Sequence, residues 1–443
     1  MDISNKSTLT CTNESIRVGG GEYGVNRGHI VIDKPQIGNI ADIQEQAIAA
    51  GQVLNGRNIA LYGMAALVDD AENPGRHHLA PNATLINEGV IEIHLREMVE
   101  VYKEQIKATP DAEKGLYRFI KCFAMAAGKD SMLINEGLIR IYFDQGLDSD
   151  TPVYGETLLA GEDSTIINNG EIELIGEGSY ATQARAIAVP ANNMTIINNG
   201  KITLDMERAS TVRILATTGL GGVIANYGTI RVKSSGRIMT IARFANTHIL
   251  NEGTVDIVSK ARYIEQKVSF LFQSYPLACA FYEHSFPNAT PVPPIINKGI
   301  VKVHLEGSEE STPHAVAFGI YSEMVGPEKQ VHRMENTGTI TVTKSGPYDF
   351  LTAEVGANVQ SAKDFPYPIE IGEWHTTARN FAQTRDLFVC RSGIFDFSHA
   401  HLYLEGDGNT INVEAKDMVY QEEKASLRGD TFQIVHAEGL VID

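Results

Sequence analysis

Cysteine and tryptophan are scarce in this chain, with four Cys and one Trp in 443 residues. Cys11, Cys122, Cys279 and Cys390 stand far apart, without a Cys-x-x-Cys pair or a His at metal-ligand spacing, which argues against a disulfide framework or a zinc module. Cys122 (in FIKCFAM) and Cys279 (in LACAFY) lie in apolar stretches and are expected to be buried free thiols. The close His pairs, His77-His78 and His399 with His401, read as solvated loop or strand faces, so no metal or cofactor is expected. Positive charge is also short: 37 Lys and Arg oppose 55 Asp and Glu, a net −18. With no Lys/Arg-rich cluster, nucleic acid and anionic membranes are not the expected partners. No apolar run is long enough to span a bilayer as a helix. The first residues, MDISNKSTLTCTNES, lack the basic-then-apolar order of a signal peptide, so a mature segment or another export route is expected, with a cytoplasmic home as the alternative. The GxSxG, HExxH and P-loop spacings are absent too.

What the chain does have is one phrase repeated nine times: Asn, any residue, Gly, any residue, then two aliphatics separated by one position. The copies begin at Asn26, Asn87, Asn135, Asn168, Asn198, Asn226, Asn251, Asn297 and Asn336. INEGVIEI, INNGEIEL and ENTGTITV are examples, and a degraded tenth copy follows at Arg391-Ser392-Gly393 with Phe395 and Phe397. Alternating apolar positions are the signal of a strand with one buried face. Gly is expected to supply a positive-φ turn, and Asn to tolerate the same region. Repetition at this scale means stacked supersecondary units. Stacking would place the nine Asn in one column about 4.8 Å apart, where their amides can hydrogen-bond from coil to coil.

Two further patterns agree. The outward residue between the aliphatics reads Val31, Glu92, Arg140, Glu173, Thr203, Arg231, Asp256, Lys302 and Thr341, and neighbours in that series never share a charge. In a parallel stack they lie side by side, where unlike charges help. Spacings between copies run 61, 48, 33, 30, 28, 25, 46 and 39 residues, so the shortest intervals fit one coil of two or three strands and the longer ones carry insertions. A second recurring strand, small and apolar, appears as ALYGMAAL, FIKCFAMAA, ARAIAVP, VRILATT, LACAFY and AVAFGIYS.

These residues resemble the β-helical passenger regions of bacterial autotransporters and the related haemagglutinin-like surface adhesins. The resemblance rests on the INNG-type strands, on AFGIYS at Ala317 to Ser322, and on LRGDTFQIV at Leu427 to Val435, and it covers roughly residue 17 onward. It departs in having no C-terminal membrane barrel in this stretch and in its longer irregular insertions. It implies an extracellular or cell-surface protein, with adhesion and virulence as the associated roles.

The expected fold is an all-β, right-handed parallel β-helix of about ten or more coils, its hand following the crossover preference. Residues 1–20 are expected to form an N-terminal cap and 401–443 C-terminal coils or a cap, with Leu402, Leu404, Ile411 and Val413 alternating. Between them, 21–400 form the β-helix, with insertions near 33–80, 96–120, 144–160 and 260–294. In the second insertion Met98, Val101, Tyr102 and Ile106 recur at helical spacing, and Pro110 ends that helix. The last is rich in aromatics: Tyr263, Phe270, Phe272, Tyr275, Phe281, Tyr282 and Phe286 are the candidate binding residues. Asp144, Asp148, Asp150 and Glu156 form the densest acidic group, in a stretch whose Asp-Gly-Ser-Pro content is ordinary turn chemistry.

The functional expectation is a secreted or surface adhesin-like scaffold without catalysis. It would bind a glycan or protein of a host or neighbouring cell through side-wall insertions. A polysaccharide lyase, hydrolase or tailspike-like enzyme, and a self-associating structural solenoid, are the alternatives.

Overall fold

The computed structural model describes residues 2–5, 8–11, 16–33, 41–43, 57–69, 71, 76–96, 99–100, 103–104, 107, 117–144, 153–189, 191–244, 246–261, 277–285, 293–309, 315–325, 332–347, 351–360, 367–374, 400–404, 421–422 and 425–426. Most of these residues form a parallel β-helix; Ala41–Ile43 and Arg76–Leu79 pair antiparallel with Arg57–Asp69, and Gln421–Glu422 pairs antiparallel with Ala425–Ser426 in a sheet of its own. Each coil passes through three faces. Face A holds the strand that ends at the Asn, such as Thr165–Asn168. Face B holds the strand after the Gly, such as Leu138–Phe143. Face C holds the small-apolar strand, such as Arg237–Phe244. In two coils a single long strand, Glu171–Val189 or Lys201–Thr217, runs through both B and C.

The stack is in register at the Asn column throughout. Asn26 pairs with Asn87, Asn87 with Asn135, and so on to Asn297 with Asn336. Every one of the nine is 0% exposed. Each side-chain Nδ2 donates to the Oδ1 of the next coil, at 2.6 to 2.8 Å over all eight steps. The amide ladder thereby satisfies polar groups that a buried corner would otherwise leave unpaired. Inward from it run the two aliphatic columns, Ile30 to Ile340 and Ile32 to Val342, all at most 2% exposed.

The expectation for glycine needs correction. No Gly or Asn of the repeated phrase is among the described residues with positive φ. The reason for Gly is instead the approach of stacked backbones. A Cβ built on Gly137 would lie 2.0 Å from the Gly89 carbonyl oxygen, and one on Gly228 would lie 1.9 Å from that of Gly200. The amides that follow each Asn explain this closeness. Glu136 N and Gly137 N both donate to Asn87 O at 2.8 Å, a pull repeated in later coils. Only a residue without Cβ fits under the carbonyl above it.

The expected outward series on face B is also in register, each member opposite the next from Val31 to Thr341. At the N-terminal end, Asp2–Asn5 and Thr8–Cys11 continue faces A and B, with Asn5 opposite Asn26. This stretch was expected to be a cap. At the other end of the column Trp374 stands opposite Asn336, and Ala400–Leu404 adds one more strand to face A, carrying Leu402 and Leu404. The degraded tenth phrase, Ile411 and Val413 lie outside the described residues.

Insertions are shorter than expected, because the small-apolar strands were counted into them. Arg57–Asp69, Tyr117–Ala126, Val153–Leu159 and Leu277–Ser285 are face C strands. Residues 96, 99–100, 103–104 and 107 are helical, and Val99 is 1% exposed. Met98, Val101, Tyr102, Ile106 and Pro110 lie outside the described residues.

Candidate functional site

Chain length is distributed unequally among the corners. The A-to-B corner is always two residues, as at Arg27-Gly28, Asn169-Gly170 and Thr337-Gly338. The long connections leave the B-to-C corner (33–56, 95–116, 144–152, 260–276 and 307–315) or the C-to-A corner (70–83 and 286–294). Both corners border face C. The ladder forbids growth at the third corner, since each of the nine repeat coils there presents an Asn and a Gly in line.

Face C is therefore the decorated wall, and its outer side carries unusual chemistry. The face C strand is bent: the ladder passes over Thr157, Ala186, Ile214, Thr240 and Ala280, so residues on either side of the bend, such as Met239 and Ala242, share the outer side. There an apolar cluster separate from the main core forms from Ala188, Ala216, Met239, Ala242, Cys279, Tyr282, Phe318 and Tyr321. Phe318 stacks on Tyr321 at 5.0 Å and Tyr321 on Tyr282 at 6.2 Å.

Next along the wall the apolar cluster gives way to arginine. Glu156 pairs with Arg185, Arg185 with Arg213, and Arg213 with Met239 across successive coils. Two residues earlier on the same side run Tyr154, Gln183, Thr211 and Arg237. Arg185 is ion-paired to Glu156, donates to Gln183 Oε1 at 2.7 Å, and lies over the Tyr154 ring at 5.3 Å. Gln183 Nε2 in turn donates to the Tyr154 hydroxyl at 2.9 Å. Arg237 lies over the Tyr282 ring at 5.2 Å and donates to its hydroxyl at 3.1 Å. Arg213 stands between these two fixed guanidiniums. Burial lowers its pKa first and the Arg185 charge second, Tyr282 opposes and Arg237 adds, and together they bring it down to about 9.

Beyond the apolar cluster, Arg243 and Glu283 form an ion pair at 0% and 1% side-chain exposure, with Nη2 to Oε1 at 2.6 Å. Arg243 also donates to the carbonyls of Thr247 and Pro293, at 2.7 and 2.6 Å, and Ser322 Oγ donates to Glu283 Oε2 at 3.1 Å. This pair ties the connection after Ser285 to the wall.

The expected binding residues fall differently. Phe281 is 0% exposed within the main core, which removes it as a surface contact. Tyr282 is 1% exposed, and on the outer side it serves as a platform for Arg237 instead of offering an open ring. Tyr263, Phe270, Phe272, Tyr275 and Phe286 lie outside the described residues. In the acidic group, Glu156 belongs to the arginine wall and Asp144 accepts from Arg96 N at 2.9 Å, while Asp148 and Asp150 lie outside the described residues. The signal for the arginines was present: aligning ARAIA, VRILA and RIMTI by their aliphatics puts Arg185 and Arg213 at one position and Arg237 two earlier.

Face B offers a second cluster. Glu92 is bonded to His29 at 2.7 Å and to Arg140 at 3.0 Å, and Arg140 reaches Glu173 at 2.5 Å. Burial pushes the Glu92 carboxyl up, but hydrogen bonds and charge from His29 and Arg140 outweigh it and hold the group below the usual carboxylate range. Such a carboxylate stays ionised and does not serve as a general acid near neutral pH.

Both thiols expected to be free, Cys122 and Cys279, are free and buried. Among the described residues no cluster of three or more His, Cys, Asp or Glu is placed to hold a metal, and no helix is long and apolar enough to cross a membrane. No protein-family model, curated protein or solved structure matches the chain. Its class is set by its own geometry, a three-faced parallel β-helix with one decorated side.

Proposed function

We propose that the chain is a non-catalytic, adhesin-like scaffold, secreted or displayed at a cell surface, that binds a glycan or protein through face C and the connections bordering it. One observation carries this reading: connections vary at the two corners flanking face C and are held to two residues at the third. Rigid coils with variable chemistry on one side suit display, since binding residues concentrate on loops that a stable scaffold positions. Two carboxylates are poorly suited to the acid role of a hydrolytic pair: Glu92 is shifted below the usual range, and Glu156 is engaged by Arg185.

A glycan array combined with a reducing-end assay on acidic and neutral polysaccharides tests the reading. Saturable binding without chain cleavage is expected, and released oligosaccharides would overturn it. Deleting 262–276 should weaken binding while the far-ultraviolet β signature persists. Undiminished binding would move the contact to the other connections.

A further inference from the structure

The arginine wall is expensive to build. Like charges directly opposite across strands destabilise a sheet, yet Arg185 and Arg213 are register partners. Partial burial adds desolvation, which is the largest cause lowering the Arg213 guanidinium. The three arginines come from separate strands of a chain whose net charge is −18, so general basicity does not put them there. Nor are they collapsed into the core: Arg185, Arg213 and Arg237 all keep part of their surface open to solvent. Arg185 is held in place by Glu156, Gln183 and Tyr154, and Arg237 by Tyr282. A preorganised set of planar cationic donors that costs stability is what recognition of an anionic group requires.

We propose that the arginine row of Arg185, Arg213 and Arg237 on the outer side of face C binds an acidic group, a carboxylate or a sulfate ester, carried on a glycan. This rests on the scaffold reading and narrows its ligand. Arg213 is the central contact. Arg185 lies opposite it, about 4.8 Å away in the preceding coil. Arg237, opposite Thr211 in the following coil, lies on the diagonal at about 7–8 Å, within the reach of arginine side chains. The remaining acidic surface does not forbid this, because charges beyond about 8 Å are largely screened at physiological ionic strength. Occupancy would offset the repulsion that folding leaves between the guanidiniums, so ligand should stabilise the coils from Val153–Leu159 to Arg237–Phe244 most.

The test uses the full chain and four probes: short oligogalacturonate, a sulfated oligosaccharide of equal length, a neutral oligosaccharide of equal length, and inorganic sulfate. At least one acidic oligosaccharide should bind and raise the unfolding midpoint, with the neutral one at least tenfold weaker. Which acid binds more tightly distinguishes carboxylate from sulfate ester. Arg213→Gln should lower that affinity tenfold or more, and Arg213→Lys should recover part of it. Inorganic sulfate binding as tightly as the sulfated oligosaccharide would make the site one for a free anion and overturn the glycan assignment. Wild-type affinity in Arg213→Gln, with its unfolding midpoint lowered or not, would assign the arginines a structural role and overturn the proposal. Binding of neutral glycans or proteins alone would overturn it while leaving the scaffold reading intact. Cleavage of any oligosaccharide would strike the scaffold reading itself.

Discussion

Replacing Asn198, in the middle of the amide column, probes what holds the coils together. Its Oδ1 accepts from Asn168 Nδ2 at 2.7 Å, and its Nδ2 donates to Asn226 Oδ1 at 2.7 Å. Asn198→Leu keeps the branched shape with bulkier ends and removes both bonds, leaving one donor and one acceptor buried, with overpacking adding to the loss. Each orphaned group costs about 1–3 kcal/mol, so the expected loss is about 2–6 kcal/mol. Asn198→Asp is the sharper variant. A carboxylate still accepts from Asn168, but it faces Asn226 Oδ1 oxygen to oxygen and is buried. Both effects raise its folded-state pKa above the unfolded value of about 3.9. The Asp deficit is therefore fully present above the raised pKa. It shrinks as pH falls through that value, because the protonated acid donates in place of the amide. Denaturant midpoints of wild type, Asn198→Leu and Asn198→Asp, each followed from neutral pH into the acid range, provide the measurement. Comparing the two variants at each pH cancels the titration of all other groups. A pH-independent gap between them, or an unchanged midpoint in Asn198→Leu, would refute the ladder argument.

Three other outcomes follow from the geometry. Arg243→Met leaves Glu283 buried without its cation and should cost about 3–5 kcal/mol, while adding Glu283→Gln should return much of the loss in a double-mutant cycle of unfolding free energies. Gly200→Ala sets a Cβ 2.0 Å from the Gly170 carbonyl and should cost about 1–3 kcal/mol or more from overpacking, whereas Gly21→Ala, at φ 74° with open space around it, should cost only the roughly 1–2 kcal/mol of a left-handed residue; thermal midpoints rank the two. Glu92 has a depressed pKa, so its contribution is present above the unfolded value of about 4.3 and is lost as pH falls through the lower folded one; Glu92→Gln should flatten the stability profile in that acid window.

The position of the A-to-B corner is legible in the sequence because two independent demands fall there on residue identity. The column needs an amide that both donates and accepts, and the stacked carbonyls need a residue without Cβ. The outward series on face B was legible for a similar reason, since register puts Arg140 between Glu92 and Glu173. Face C carries no comparable punctuation. Its strands are marked only by small apolar residues, so LACAFY is legible as a recurring strand, yet its ends are not, and the 260–294 insertion bound overlaps Leu277–Ser285 with Phe281 taken as a surface ring. The arginine wall was hidden for the same reason: Arg185, Arg213 and Arg237 become neighbours only once those strands are aligned. The mechanism assigned to Gly was also beyond reach, because the distance between coils is a property of the stack and not of any one turn.

The amide ladder also has a direction. At each of the eight steps from Asn26 to Asn336 the Nδ2 points toward the next coil and meets an Oδ1 pointing back. Reversing one amide would set oxygen against oxygen on one side and nitrogen against nitrogen on the other, so a fault cannot be local. Own-coil carbonyls choose the sense: Asn135 Nδ2 also meets Gly137 O at 3.2 Å, as Asn251 Nδ2 meets Gly253 O at 3.3 Å. The aligned amides therefore add head to tail as peptide units do in an α-helix, giving the solenoid a lengthwise electrical polarity, negative toward its first coil and positive toward its last.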